Sequence, residues 1–403
     1  MSVDVLISFL GKSNVDSIQG YREATYAFED GYQVTVPFFG LGLTQKIQPK
    51  KLILLGTPSS MWDVFFTNQA TTDDELYEQL IEAVSDNSVD DALLAKCSLR
   101  LQEKLGCEVV SILIGYAAHE DDQVALLSKL SSVLNDNETV AIDVTHTFRH
   151  LPMLALVASR FLQKTRAIQT ESIYYGALQM TSEETKLTPV VELSGLLKML
   201  DWVDALSSYE KHGDYADFAE LYEREGMSSA AEQLQQAAFF ERTNQISRAR
   251  APLQKFISSQ NERKDSILAL FSPILKNRFE WSRGLSHGER QTRLASYFLD
   301  QGDYLRAVTL GHEAYLTKKL QQQPGQLDPN NFEHRESIKN KINSGEISLS
   351  SSAREAYKNL RNVRNALAHG TPSSIGRVQQ AMASEQNLND MLTEILAKLN
   401  END

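Results

Sequence analysis

Near the end of the chain the segment SAREAYKNLRNVRNALAHG places Arg364, Asn365 and His369 just before Gly370, Thr371 and Pro372. A guanidinium and an imidazole suit cleavage of RNA without a metal ion. The RNA brings its own nucleophile, the 2′-OH. The protein has to supply a proton donor or acceptor and a cation for the charge that builds on the phosphoryl oxygens. His369 fits the first role, Arg364 the second, and Asn365 can position through hydrogen bonds. On an uninterrupted helix the two key groups would point about 140° apart with a rise of about 7.5 Å, so one helix face cannot grip one phosphate with both. The Gly-Thr-Pro stop lets the terminal turn redirect the imidazole, or a second subunit supplies the missing partner. A capped, solvated helix end explains the same residues, and Arg283 and His287 form a similar-looking pair.

A second group of candidates lies in the first half. One apolar run ends in Gly11, Lys12, Ser13 and Asn14. Another ends in Asp143 and Val144 and continues through Thr145, His146, Thr147, Phe148 and Arg149 to His150 and Pro152. Strand, hydroxyl-rich loop and helix start present free N–H groups to an anion, and Arg149 can add a bidentate phosphate contact. Simple capping of the following helix by Thr145 and Thr147 is the competing account.

Other chemistries find little support. There is no G-x-G-x-x-G, no G-x-x-x-x-G-K-[ST], no G-x-S-x-G and no H-E-x-x-H. Cys97 and Cys107 stand in neither redox nor zinc spacing, so no metal site is expected and both thiols read as small core residues. A net charge of -13 repels nucleic acid at long range, which confines any polyanion site to a local basic pocket.

These residues need elements to hold them. The 403 residues are 42% hydrophobic and 23% charged, values of a soluble globular chain with two or three domains. Apolar runs at 3–10, 33–38, 51–55, 109–114, 139–144 and 172–178 alternate with helical patterns at 73–85, 90–105, 121–134 and 151–164. That alternation predicts a mostly parallel, doubly wound sheet. After about residue 195 the β-branched runs vanish. Helical spacing dominates at 196–207, 230–242, 304–321, 352–369 and 375–399, with 321–331 as a long loop. The expected fold class is α/β plus all-α, divided as 1–195 and 196–403. No apolar run approaches the length of a membrane span, and a cytoplasmic protein without a signal peptide is expected.

Two stretches resemble known families. The run from Asp143 to Pro152 resembles the strand-to-loop signature of CARF domains in CRISPR-associated proteins. Phe9-Leu10-Gly11, with Tyr21 and Tyr26 downstream, is similar to that family's first strand and loop. Arg364 to His369 resembles the R-x4-6-H motif of HEPN ribonucleases. The resemblance implies a Rossmann-like CARF sensor domain followed by a helical HEPN domain. It also implies a metal-independent endoribonuclease of type III CRISPR defence that cuts single-stranded RNA and is activated by cyclic oligoadenylate, with cyclic tetraadenylate as the expected ring and no cofactor. Gly11 to Asn14 and Thr145 to Arg149 would line the ring's pocket. Arg364 and His369 of two chains would meet in a homodimer, with further assembly left open. Lys12 stands where many relatives carry a small or hydroxyl residue. Glu313 resembles an acidic HEPN position but stays outside the expected site because its spacing from Lys318 does not fit. Two rivals accompany this expectation: a sensor carrying a non-catalytic helical dimeriser, and an enzyme that degrades the cyclic messenger.

Overall fold

The computed structural model describes residues 3–12, 15, 16, 20–65, 74–259, 267–283, 286–325 and 327–401. The chain divides into two compact units, Met1–Lys198 and Met199–Asp403.

In the first unit the elements run β1 (Val5–Leu10), β2 (Val15–Asp16), β3 (Gly20–Tyr21), β4 (Ala24–Ala27), β5 (Gln33–Val36), α1 (Phe39–Ile47) and β6 (Lys51–Gly56). They continue with α2 (Asp74–Ser85), α3 (Asp91–Leu105), β7 (Glu108–Leu113), α4 (Glu120–Val133), β8 (Thr139–Asp143), α5 (Leu151–Arg166), β9 (Gln169–Gly176) and β10 (Leu187–Glu192). Eight strands form one sheet in the order β5-β4-β10-β9-β8-β1-β6-β7. The pairs β1/β6, β6/β7, β1/β8, β8/β9 and β10/β4 are parallel, while β10/β9 and β4/β5 are antiparallel.

β1 and β6 are buried along their whole length, the pattern of strands covered on both faces. Side-chain alternation splits β1 between two cores. Leu6 and Leu10 join Phe39, Leu43, Leu94 and Leu101 on one face, and Val5, Ile7 and Phe9 join Leu126, Leu130, Ala155 and Leu162 on the other. The sheet is thus doubly wound, and neighbouring strands leave β1 in opposite directions toward β6 and β8. Ligands of open sheets sit at that kind of switch point, beyond the strands' carboxyl ends.

The second unit is helical. α6 (Ser194–His212), within which the units divide, leads to α7 (Asp217–Arg224), α8 (Ser228–Arg242), α9 (Ile246–Ser259), α10 (Ile267–Arg278) and α11 (His287–Asp300). α12 (Tyr304–Gln321), α13 (Phe332–Ser344), α14 (Ser351–His369), α15 (Gly376–Ala381) and α16 (Glu385–Asn400) follow. α12 packs against α11, α13, α14 and α16 and is buried around most of its circumference, which makes it the central helix of this end of the unit. No helix among the described residues is long and apolar enough to cross a membrane.

The expected run at 375–399 is two helices. Ser384 caps the second by accepting from the Asn387 N–H, an N-cap that restarts the helix after a short break. β4, β10 and α1 were not expected at all. Leu178, expected at the end of a strand, lies in a short 3-10 turn beyond β9.

Candidate functional site

At the switch point Ser8 of β1 stands beside Asp143 of β8. Asp143 is fully buried. Its Oδ2 accepts from Ser8 Oγ at 2.6 Å and its Oδ1 from the Thr145 N–H at 2.9 Å. Burial pushes the carboxyl up to about 6, against the pull of those hydrogen bonds. Asp143 therefore sets the direction in which the chain leaves β8.

Thr145 continues the anchoring, because its Oγ1 accepts from the Gly176 N–H at 2.8 Å. His146 turns inward as well. Its Nε2 accepts from the Phe39 N–H at 3.2 Å, at the start of α1, and the Tyr26 hydroxyl lies 3.5 Å away. A backbone N–H can only donate, so Nε2 is a bare lone pair and the ring is neutral with its proton on Nδ1. Burial agrees, pushing this imidazole down to about 4. α1 lacks a side-chain cap from its own N-cap residue Phe38; His146 takes that place from a distant loop.

The Gly11 loop comes within touching distance of the same turn. A Cβ on Gly11 would lie 2.7 Å from the His146 carbonyl oxygen, so only glycine permits this approach. The Gly11 carbonyl in turn accepts from the Met61 N–H at 2.9 Å. Lys12 is exposed, and the expected Ser13 and Asn14 lie outside the described residues. Thr147 is half-buried, whereas Phe148 and Arg149 are exposed. Sequence reasoning treated Thr145 to Arg149 as one lining. In the structure Thr145 and His146 hold the loop and Phe148 and Arg149 face out.

Two further residues belong to this surface. Tyr116, from the loop after β7, has its ring 5.6 Å from that of Phe148, and the His150 ring stacks on Phe148 at 6.0 Å. His150 Nε2 and the Tyr116 carbonyl are 2.8 Å apart. Tyr116 is 58% exposed and Phe148 40%, so the cluster offers aromatic faces, and the exposed Arg149 follows Phe148 in the same loop. An aromatic residue two positions beyond the predicted strand at 109–114 was the available signal for Tyr116.

In the helical unit α14 starts at a Ser350 cap, which accepts from the Ala353 N–H at 3.1 Å, and stops at Gly370 with φ +62°. Ala356, Leu360 and Val363 are buried and Leu367 packs partly buried against them, the stripe expected from the spacing. Arg364 is half-buried, and Asn365 and His369 are exposed. Arg364 Nη2 donates to Asn365 Oδ1 at 3.4 Å. Its Nη1 lies 3.3 Å from Nδ1 of His312 on α12. No contact joins Arg364 to His369 among the described residues of one chain, as their separation around the helix requires.

His312, Glu313 and Arg335 complete this neighbourhood. Glu313 pairs with Arg335 and its Oε1 lies 3.3 Å from His312 Nδ1. His312 and Arg335 escaped sequence reasoning because nothing in local spacing ties residues on three different helices together. Among the described residues no group of three or more His, Cys, Asp or Glu is placed to hold a metal.

Residues 5–179 match the family model described as the CARF domain of CRISPR system endoribonuclease Csx1. The chain is 26% identical to the CRISPR-associated protein MJ1674 of Methanocaldococcus jannaschii over 413 aligned positions, covering 92% of this chain and 63% of that protein. It thus spans less than two thirds of that relative's length. Among solved structures, Csm6 of Enterococcus italicus bound to cyclic hexa-2′-fluoro-hexa-dAMP aligns over 100% of this chain and 96% of its own, at 11% identity and a TM-score of 0.40. The family match runs across the doubly wound sheet whose first and central strands deliver Gly11 and the Thr145–Arg149 loop to one switch point, so the first unit is similar to a CARF domain.

Proposed function

We propose that the protein is a cyclic oligoadenylate-activated endoribonuclease. In this reading the CARF unit binds the ring-shaped messenger and the helical unit, a HEPN domain, cuts single-stranded RNA without a metal ion. The observation that carries it is the pair on α14: an exposed imidazole on the last turn and a guanidinium held half-buried one turn and a half earlier.

The messenger is a polyanion with adenine faces. Arg149, exposed and without a hydrogen bond or ion pair among the described residues, supplies positive charge, and the Phe148–Tyr116–His150 cluster supplies stacking surface. Gly11 allows the first loop to lie against the second, so that Lys12 and Arg149 serve one pocket.

For the cut, the 2′-OH attacks the adjacent phosphorus and the bond to the departing 5′ oxygen breaks, leaving a 2′,3′-cyclic phosphate and a 5′-OH. His369 takes or returns the proton and Arg364 meets the charge on the non-bridging oxygens. Because the two groups project from different sides of one helix, they act together only when a second copy brings its own α14 alongside. A homodimer supplies that, and the apolar residues Met153, Val157 and Phe161, exposed at four-residue spacing along α5, give a second copy a surface to cover.

The test is cleavage of a fluorescent single-stranded RNA in EDTA with cyclic tetraadenylate, cyclic hexaadenylate or no ring. Wild type should cut only with a ring, and Arg364→Ala and His369→Ala should lose about a hundredfold or more of the rate. Cutting by His369→Ala at the wild-type rate defeats the assigned chemistry. Intact RNA at saturating ring favours a non-catalytic helical unit, and breakdown of labelled ring without RNA favours messenger degradation as the main activity.

A further inference from the structure

His312 is an unusual tenant of the central helix. It is 2% exposed, and its ring lies parallel to that of Tyr357, 5.5 Å away at 17°. Tyr357 sits on α14 two turns before Arg364, so α12 and α14 clamp the imidazole between them. Its Nε2 is buried without a hydrogen-bond partner among the described residues. A phenyl ring would fill the same stack and spare the molecule that unmatched polar atom. The ring nitrogen must therefore be kept for something.

What it faces is Arg364, whose Nη1 is 3.3 Å from His312 Nδ1. A guanidinium carries only donors, so the contact needs a lone pair on Nδ1 and the proton on Nε2. Burial, seconded by the charge of Arg364, pushes the imidazole down to about 3, so the ring is neutral and one of its nitrogens is an acceptor. Glu313 Oε1 also stands 3.3 Å from Nδ1 and would accept from a proton there, so the two contacts are alternatives set by the tautomer; the pairing of Glu313 with Arg335 satisfies that carboxylate and leaves Nδ1 to Arg364. Arg335 is itself fixed by the Pro329 carbonyl at 3.0 Å and Thr317 Oγ1 at 3.3 Å.

We infer that His312 is a positioning residue: its Nδ1 holds the guanidinium of Arg364 in one orientation and leaves the remaining N–H groups aimed at the scissile phosphate. This rests on the nuclease reading above. A flexible arginine would have to be ordered during each turnover, whereas one fastened to an immobile acceptor is already in place when charge develops.

The test uses the full chain and three variants. His312→Phe keeps the stack on Tyr357 and deletes the acceptor. His312→Asn puts an amide oxygen close to where Nδ1 stands. Arg364→Ala removes the group being positioned. With saturating cyclic oligoadenylate, His312→Phe should lower kcat about ten- to a hundredfold, leave KM within about twofold and not lower Tm, and His312→Asn should recover most of the loss. Wild-type kcat in His312→Phe, or equal damage in both His312 variants, overturns the inference. Should His312→Phe fail to fold, the ¹⁵N spectrum of the wild-type imidazole decides instead: a proton on Nε2 supports the role, and a proton on Nδ1 overturns it. An inactive Arg364→Ala beside a fully active His312→Phe removes this inference alone, whereas a fully active Arg364→Ala, or no cleavage by wild type, removes the nuclease reading and this role with it.

Discussion

Asp143 and His146, three residues apart on the turn that leaves β8, should shift the stability of the CARF unit in opposite directions with pH. The folded carboxyl of Asp143 titrates at about 6 against an ordinary 3.8. Between those values the folded state holds a proton that the unfolded chain has released, so stability falls as pH rises, by about 1.4 kcal/mol per pH unit. His146 titrates at about 4 against an ordinary 6.5. Across that window the unfolded chain holds the proton and the folded ring does not, so stability rises with pH by the same amount. From pH 4 to 6 the two slopes nearly cancel in the wild type. Asp143→Asn removes one, and His146→Asn, whose amide oxygen can still accept from the Phe39 N–H, removes the other. Relative to wild type, the Asp143→Asn protein should lose stability as the solution is acidified and the His146→Asn protein should gain it. Their slopes should differ by about 3 kcal/mol per pH unit. Carboxylates elsewhere are common to both variants and drop out of the comparison. Urea unfolding between about pH 4.5 and 6, followed by Trp62 in a Trp202→Phe, Trp281→Phe background, reads the CARF unit by itself, since these are the chain's 3 tryptophans. Equal slopes, or slopes of the same sign relative to wild type, would refute the assignment of a protonatable acid and a neutral base to this turn.

The helical unit contains a buried ion pair, Arg278 with Glu241, whose side chains are 1% and 3% exposed. Glu241 also accepts from the Tyr215 hydroxyl at 3.2 Å, and the guanidinium lies 4.1 Å from the Tyr297 ring centre. Glu241→Ala should cost about 3–5 kcal/mol in urea unfolding by leaving a buried charge unmatched, while the double change Glu241→Leu with Arg278→Met should cost much less. Gly11→Ala drives a methyl group against the His146 backbone, a strain of about 1–3 kcal/mol. Calorimetry should show cyclic oligoadenylate binding weakened about tenfold or more, with the rate of RNA cleavage at saturating ring unchanged.

What the sequence made readable follows from how locally each feature is encoded. β1, β6 and β8 are short runs of apolar residues that need no partner to be recognised. β10 carries Pro189, a residue that argues against an internal strand. The strand nevertheless forms, and the proline's carbonyl accepts from the Ala177 N–H at 2.9 Å. β4 is only four residues long, too short for alternation to stand out. In the site, the stop at Gly370 and the apolar stripe of α14 were legible from one helix period. The inward turn of His146 was not, since its partner Phe39 is 107 residues away. His312 likewise gains its meaning only from Arg364, 52 residues on. A polar residue whose partner is distant in sequence looks like any other polar residue until the fold brings the two together.

The separation of Arg364 and His369 also bears on control. A site complete within one chain would be assembled as soon as the chain folded, and a messenger could regulate it only by distorting it. A site divided between the α14 helices of two copies has a different resting condition, because its chemistry depends on how those copies are oriented. A ligand shifts such an equilibrium only by the difference in its affinity for the two arrangements. In the proposed dimer, a ring with rotational symmetry bound across the paired first units would have contacts to both copies and could supply that difference. His312 fits the same logic from the opposite side. If the proposed dimer forms and the guanidinium is already fastened within each chain, closure would have to bring together two ordered halves, and the free energy of binding the proposed messenger would not be drained into ordering a side chain.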